Sequence, residues 1–299
     1  MKEQAYKEVV NWIYQFARPL ELARFQYLFE GGTKENYYME LRKFQNGDGG
    51  FGYGLEPDSM NPNSSPIQTW MAFEYIEELN LTKTDSLIQD TVDYLVNTSC
   101  FENGFWFATI PTNEDYPHAP WWGYSKETRI WGYNPTAAIA GFIYKYAVKK
   151  QDVLFAKKII QKAIDDFLSD RIDEMHEVRS FIEMNESIKG SNDFKGVKEF
   201  QTKLLEIMME TIEKDDSKWF SSYCVRPSQY IYKKDMLGYA ELKEWVHKEA
   251  SMFESQRGSG GVWGITWDWN QYPEDFQKAK IAWQGLIAVG TLKIIYQFR

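Results

Sequence analysis

Four titratable side chains in this sequence lie in settings that could use them. Glu56 and Asp58 flank Pro57 at the end of Phe44-Gln-Asn-Gly-Asp-Gly-Gly-Phe-Gly-Tyr-Gly-Leu-Glu-Pro-Asp58. The proline restrains the backbone, so both carboxylates are held beside five glycines and the rings of Phe51 and Tyr53. Such carboxylates can serve as a general acid or stabilise a cation; they can equally accept hydrogen bonds from free amides near Ser64, Ser65 and Pro66. His118 stands in Pro117-His-Ala-Pro-Trp-Trp122, where two prolines stiffen the chain and Trp121 and Trp122 offer an apolar, cation-binding face. Histidine suits proton transfer near neutral pH, and it also suits packing and hydrogen bonding in a stiff turn. Asp268 sits between Trp267 and Trp269, with Trp263 shortly before. Those rings can stack on a sugar face or an isoprenoid cation, or clamp a loop to its neighbours. Tyr124, Trp131 and Tyr133 are expected to extend the same wall.

The elements that must carry these residues are helical. Val153, Ala156, Ile160, Ile164 and Phe167 recur at three- and four-residue steps with charges between them, and so do Val197, Phe200, Leu204, Ile207, Met208 and Ile212. Both runs predict amphipathic helices with one solvated face. Thr136 to Val148 and Ala282 to Ile295 are small or apolar on nearly every side, which predicts helices buried all round. Asn134 and Pro135 are expected to start the first of these, Asn as the cap and Pro in the first turn.

The glycine-aromatic loop recurs in weaker form at Glu102-Asn-Gly-Phe-Trp106, Asp215-Asp-Ser-Lys-Trp-Phe220 and Gln256-Arg-Gly-Ser-Gly-Gly-Val-Trp263. Phe51, Trp106, Trp219 and Trp263 are 55, 113 and 44 residues apart, which fits a unit of about fifty residues with one degenerate copy near Asp170. Each unit would be an outer helix, a loop and an inner helix. Six would use the chain as one domain over residues 1–299, with Lys189 to Gly196 only a turn between helices.

Composition narrows the partners. Of 299 residues 43% are hydrophobic, enough for a large core, and 17% are aromatic. The net charge of -9 argues against a nucleic-acid partner. No run approaches the roughly eighteen apolar residues that span a bilayer, since Ala137 to Val148 is cut by Lys145. Two cysteines form no disulfide framework and the N-terminus lacks the apolar core of a secretory signal, so a reducing, cytoplasmic location is expected.

Gln45 to Gly52 and Gln256 to Trp263 resemble the Gln, Gly and aromatic repeats of the terpenoid cyclase and protein prenyltransferase superfamily. The resemblance is closer to a bacterial branch with prenyltransferase- and squalene-cyclase-like repeats, through Gly49 to Gly52, Leu55 to Asp58, Pro117 to Trp122 and Asn134 to Ala137. It implies an all-α fold, an (α/α)6 toroid of inner and outer helices around an aromatic-lined cavity. Phe51, Tyr53, Trp121, Trp122, Tyr133, Trp263, Trp267 and Trp269 would then meet a small-molecule ligand. Glu56, Asp58, His118 and Asp268 would be the acid-base or charge-stabilising groups.

The superfamily's catalytic motifs do not carry over. No Asp-x-Asp-Asp occurs, and Asp165-Asp-Phe-Leu-Ser-Asp170 is one residue too long for the magnesium-binding pattern and lies on an outer-type helix. Ser222 stands two residues before Cys224, where a zinc site would need Asp, and only His118, His176 and His247 exist. No metal or cofactor is therefore expected, and Cys100 and Cys224 are read as buried structural thiols. The ligand classes left open are an isoprenoid or similar apolar molecule and a glycan bound by a toroid glycosidase or lyase, in which Glu56 or Asp58 would face Asp268. A non-catalytic scaffold is the third alternative.

Overall fold

The computed structural model describes residues 1–299 and is all-α in class. Its helices run α1 Glu3–Phe16, α2 Pro19–Phe29, α3 Lys34–Arg42, α4 Pro66–Leu79, α5 Ser86–Asn97 and α6 Thr136–Tyr146. They continue as α7 Lys150–Ser169, α8 Met175–Ile188, α9 Val197–Thr211, α10 Pro227–Tyr230, α11 Tyr239–Met252 and α12 Pro273–Phe298. The only sheet is a hairpin of β1 Phe101–Glu102 and β2 Phe105–Trp106. The chain divides into two compact units, residues 42–211 and residues 1–41 with 212–299.

In the first of these units α7 and α9 bury one face each, Ala156, Ile160, Ile164 and Phe167 on α7 and Phe200, Leu204, Ile207 and Met208 on α9. The three- and four-residue spacing of those side chains puts them on one stripe, as expected. Helix α6 is different, since only Tyr144 and Lys145 of its eleven residues escape burial. It packs against α7 and α8, and its small residues set the distance. A Cβ on Gly141 would lie 3.0 Å from the Met184 Cα and from the Ser187 side chain. On another side Phe142 stacks on Phe73 of α4, ring centroids 3.8 Å apart and 7° from parallel.

The start of α6 departs from expectation. The Asn134–Pro135 peptide is cis, Pro135 is the N-cap residue, and no side chain caps the helix. Asn134 is thus one position too early to reach the free amides, and its buried Oδ1 has no hydrogen-bond partner. The first turn is satisfied otherwise: the Ala137 amide donates to the Tyr133 carbonyl and the Ala138 amide to Ser180 Oγ of α8 at 2.9 Å.

The recurring loops share one device. Phe51, Trp106, Trp219 and Trp263 are all at most 4% exposed. The indole N–H of Trp106 donates to the Leu95 carbonyl at 2.9 Å, that of Trp219 to Glu213 at 2.7 Å, and that of Trp263 to Phe253 at 2.9 Å. Each ring thereby satisfies a carbonyl near the end of the helical segment before it. On the following side, the Phe51 amide donates to Thr69 Oγ1 and the Trp106 amide to Thr136 Oγ1.

In the other unit α12 packs against α1, α2 and α11. No residue from Ala282 to Ile295 is exposed, as the apolar run predicts. By length and composition α12, rather than the expected Ala137 to Val148, is the one helix long and apolar enough to cross a bilayer. Two buried carboxylates lie nearby in the chain's own contacts. Glu21 takes two bonds of 2.8 Å from the Arg18 guanidinium, and Glu249 accepts from the Ser228 amide at 2.7 Å and its hydroxyl at 2.8 Å. Burial pushes the Glu249 pKa up, against the pull of Arg226 and Ser228.

Two outcomes follow from this packing. Gly141→Val drives a branched side chain into the α8 backbone, so thermal melts should show a loss of about 1 to 3 kcal/mol. For Glu249 the native state holds its proton to higher pH than the unfolded chain does. Its contribution is therefore complete below the ordinary carboxyl value of 4.5 and falls as pH rises from there through the raised native value. Urea midpoints measured at several pH values should decline across that window less in Glu249→Gln than in the wild type.

Candidate functional site

Glycine makes the opening loop possible. A Cβ on Gly49, which has φ +90°, would lie 2.0 Å from the Asp90 carbonyl oxygen, and one on Gly52 would lie 2.2 Å from that of Pro62. The turn is closed by Asp48 Oδ1, which accepts from the Gly50 amide and Ser64 Oγ, and by the Asn46 side-chain amide, which donates to the Pro62 carbonyl. The Phe51 ring is fully buried below, whereas Tyr53, at φ 58°, is 55% exposed.

Glu56 and Asp58 are buried, 5% and 2% exposed. Their backbone is tied to α4 by Gln68, whose Oε1 accepts from the Glu56 amide at 2.8 Å while its Nε2 donates to the Ser59 carbonyl at 2.8 Å. Ser65 is the α4 N-cap and Gln68 its N3 residue, the Ser-x-x-Gln pattern of a capping box. Here the Gln side chain reaches the preceding loop, so a helix-start signal also works as a loop tether.

The His118 segment joins this loop directly. Ser59 and His118 form an antiparallel bridge, the Met60 amide donates to the Pro117 carbonyl, and the Ala119 amide donates to the Asp58 carbonyl at 2.8 Å. Asn61 Nδ2 reaches Thr112 and Asn113, and Asn113 Nδ2 donates to the Trp122 carbonyl. Glu56, Asp58, His118 and the tryptophan pair are thus drawn from two distant segments into one place. His118 is buried, with Nδ1 2.7 Å from the Tyr116 carbonyl, which makes Nδ1 the protonated nitrogen. A Cβ on Gly123 would lie 3.7 Å from His118 Nε2 and 3.6 Å from Glu114 Oε1, so these two atoms share one neighbourhood.

The rings divide into two groups. Trp122 is buried and stacked on Trp131, centroids 5.0 Å apart at 16°, and its Nε1 has no hydrogen-bond partner. Tyr133 is buried against Phe105 and Phe181, and its hydroxyl donates to Asp166 Oδ2 at 2.6 Å. Burial first, and then that bond, push the phenol far above its usual value. Trp121, 39% exposed, and Tyr53 remain at the surface.

In the other unit Trp263 and Trp269 are buried, and Trp267 is half-buried edge-on to Trp283 at 5.3 Å. Asp268 is exposed and accepts from the Asn270 amide at 2.7 Å, a local turn contact.

Asp165 to Asp170 lies at the C-terminal end of α7. Burial works to raise Asp166, but Lys162 and Tyr133 outweigh it and hold the carboxyl below its usual range. Asp165 takes a bond from Gln161. Both cysteines are free thiols, and each is half-buried rather than buried, Cys100 between α5 and β1 and Cys224 in the segment that leads into α10. Burial raises both their pKa values, so neither is poised as a thiolate. No three His, Cys, Asp or Glu side chains converge as a ligand set for a metal.

Sequence reasoning passed over Gln68, Asn61 and Asn113, the buried amides that fasten the loops. Gln68 alone was visible beforehand, through the Ser65-Pro-Ile-Gln68 spacing. Comparison of the chain with known protein families, with curated proteins and with solved structures finds no match in any of the three. Gln68→Leu leaves the Glu56 amide and the Ser59 carbonyl without their partner, at a cost of about 1 to 3 kcal/mol. Hydrogen exchange should accordingly speed up at Glu56 in that variant while the amides of α7 keep their protection.

Proposed function

We propose that this chain is a single α/α-toroid domain over residues 1–299, similar in architecture to terpenoid cyclases and protein prenyltransferases, that binds a small sugar-like molecule. Support for the architecture comes from the resemblance and from helices buried all round alternating with amphipathic ones. For the ligand, the observation that carries most weight is the division of the rings. Phe51, Trp122, Tyr133, Trp263 and Trp269 are buried in packing, which leaves Tyr53 and Trp121 exposed on the two loops that hold Glu56, Asp58 and His118. An exposed ring near polar groups suits the CH face and hydroxyls of a glycan. In this role Glu56, Asp58 and His118 meet the polar edge of the ligand; Asp268 and Trp267 belong to the other unit. The free thiols and acidic charge fit a cytoplasmic protein without a nucleic-acid partner.

An isoprenoid is the second reading, favoured by the resemblance and by the 17% aromatic content. Thermal-shift titrations separate the two. A ligand at about ten times its Kd stabilises the native state by about 1.4 kcal/mol. Oligosaccharides should raise the Tm of the wild type and raise that of Trp121→Ala less. A shift with farnesyl or geranylgeranyl diphosphate alone would favour the isoprenoid, and no shift with either class a scaffold without a small-molecule ligand.

A further inference from the structure

Trp121 and Trp122 are consecutive residues of the 3-10 turn Pro120–Trp122, and the turn sends one ring outward and one inward. Trp122 is 7% exposed and stacked on the half-buried Trp131, yet its Nε1 donates to nothing in the chain. Trp131 is the bridge partner of Asn134 across a turn closed by the Asn134 amide, which donates to the Trp131 carbonyl at 3.0 Å. Residues opposite one another in such a bridge project from the same face, so the Asn134 side chain leaves the backbone beside Trp131. Asn134 is 5% exposed, and its Oδ1 likewise has no partner. A third such atom, Thr109 Oγ1, lies on the segment whose amides at Ala108 and Thr109 donate to the Arg129 carbonyl, two residues before Trp131. Around the Trp131 turn, then, one donor and one acceptor are left over, with a hydroxyl on the adjoining segment.

We infer that Trp122 Nε1 and Asn134 Oδ1 are the inner anchors of the ligand site and hold one hydroxyl group of the bound sugar between them. The inference rests on the sugar-like ligand proposed above and extends its site inward from Trp121. Burying a donor or an acceptor without a partner is costly, and native structures keep few of them. Packing accounts for the Trp122 ring but not for its N–H, since a phenyl ring packs without one. The two atoms have opposite characters, and that selects the partner. An anion would take the indole N–H but meet the side-chain oxygen of Asn134, on loops that already carry Glu56, Asp58 and Glu114. A cation would leave the N–H unmatched, and a hydrocarbon would leave both atoms as they are. A hydroxyl accepts from the N–H and donates to the oxygen.

Position ties these anchors to the rim. Gly123 follows Trp122, and a Cβ there would lie 3.7 Å from His118 Nε2, so the histidine borders the residue next to the inner donor. Trp121, at the surface, precedes it. Consecutive Cα atoms are about 3.8 Å apart, so the exposed ring, the inner donor and the neighbour of His118 fall within the reach of one or two sugar units. An ordered water would satisfy the same two atoms. The two occupants part under titration with ligand.

The test uses the full chain with maltotriose, cellotriose and mannotriose as probes, calorimetry for affinity, and mono-deoxy analogues of the probe that binds most tightly. At least one probe should bind saturably, and the wild type should bind one of its mono-deoxy analogues about tenfold more weakly than the parent, or weaker still. Asn134→Leu, which fills the same space without the acceptor, should bind parent and analogue within about twofold of one another. A purely structural change weakens both alike and preserves the preference. Trp122→Phe, which removes the donor, should behave as Asn134→Leu does, and it decides the matter if that variant fails to fold. A wild type that binds every analogue as tightly as the parent overturns the inference, and so does a preference kept in both variants. If the preference is kept there while Trp121→Ala loses binding, the anchors fall and the loop-based proposal stands. Absence of binding by all three probes removes both.

Discussion

Close approach of backbone to backbone at Gly49 and Gly52 is the constraint on which the candidate site depends. At those two positions a single added carbon would lie 2.0 Å and 2.2 Å from carbonyl oxygens of Asp90 and Pro62, so no other residue allows the loop to close as it does. That closure seats the Phe51 ring in the core and sets the direction in which the chain leaves toward Glu56. From there Gln68 fixes the height of the carboxylate segment over α4, and the bridge between Ser59 and His118 fixes the second loop to the first. Remove the glycine contacts and every later bond in the series loses its register.

The same economy recurs where the loops meet their helices. An indole carries both a large apolar body and one donor, so Trp106, Trp219 and Trp263 each fill core space and satisfy a helix-end carbonyl at once. This use of aromatic residues has a consequence for function. Rings that serve as anchors are unavailable to a ligand, and the high aromatic content of the chain therefore overstates how much aromatic surface is free to bind anything. On the two loops that carry Glu56, Asp58 and His118, the rings that escape anchoring are Tyr53 and Trp121.

Several features were legible along the chain because they depend on neighbours three to five residues away. The stripes on α7 and α9 and the all-round burial of α6 belong to this group, whereas Phe51 and Trp263, expected to meet a ligand, are buried in packing. Others were not. Asn134 carries the right chemistry for a cap, yet Pro135 takes that position and Ser180, forty-two residues on from Ala138, supplies the bond instead. The cysteines look like core residues by type, yet both fall in segments between helices and are only half-buried.

By itself the sequence determined the helical class and the places where the chain must turn, since periodicity and glycine act locally; which rings lie inside was decided by packing, as Phe51, Trp122, Tyr133, Trp263 and Trp269 show. Tertiary structure alone decided which distant groups meet. Trp70 and Glu183 are 113 residues apart, and neither has a local pattern that marks it, because a surface Glu and a helix Trp are ordinary in isolation. Helix α8 approaches α6 closely at Gly141, and a side chain of α8 also meets α4 in the Trp70–Glu183 bond. Hydrogen bonds require contact within about 3 Å, and contact between remote segments is a property of packing.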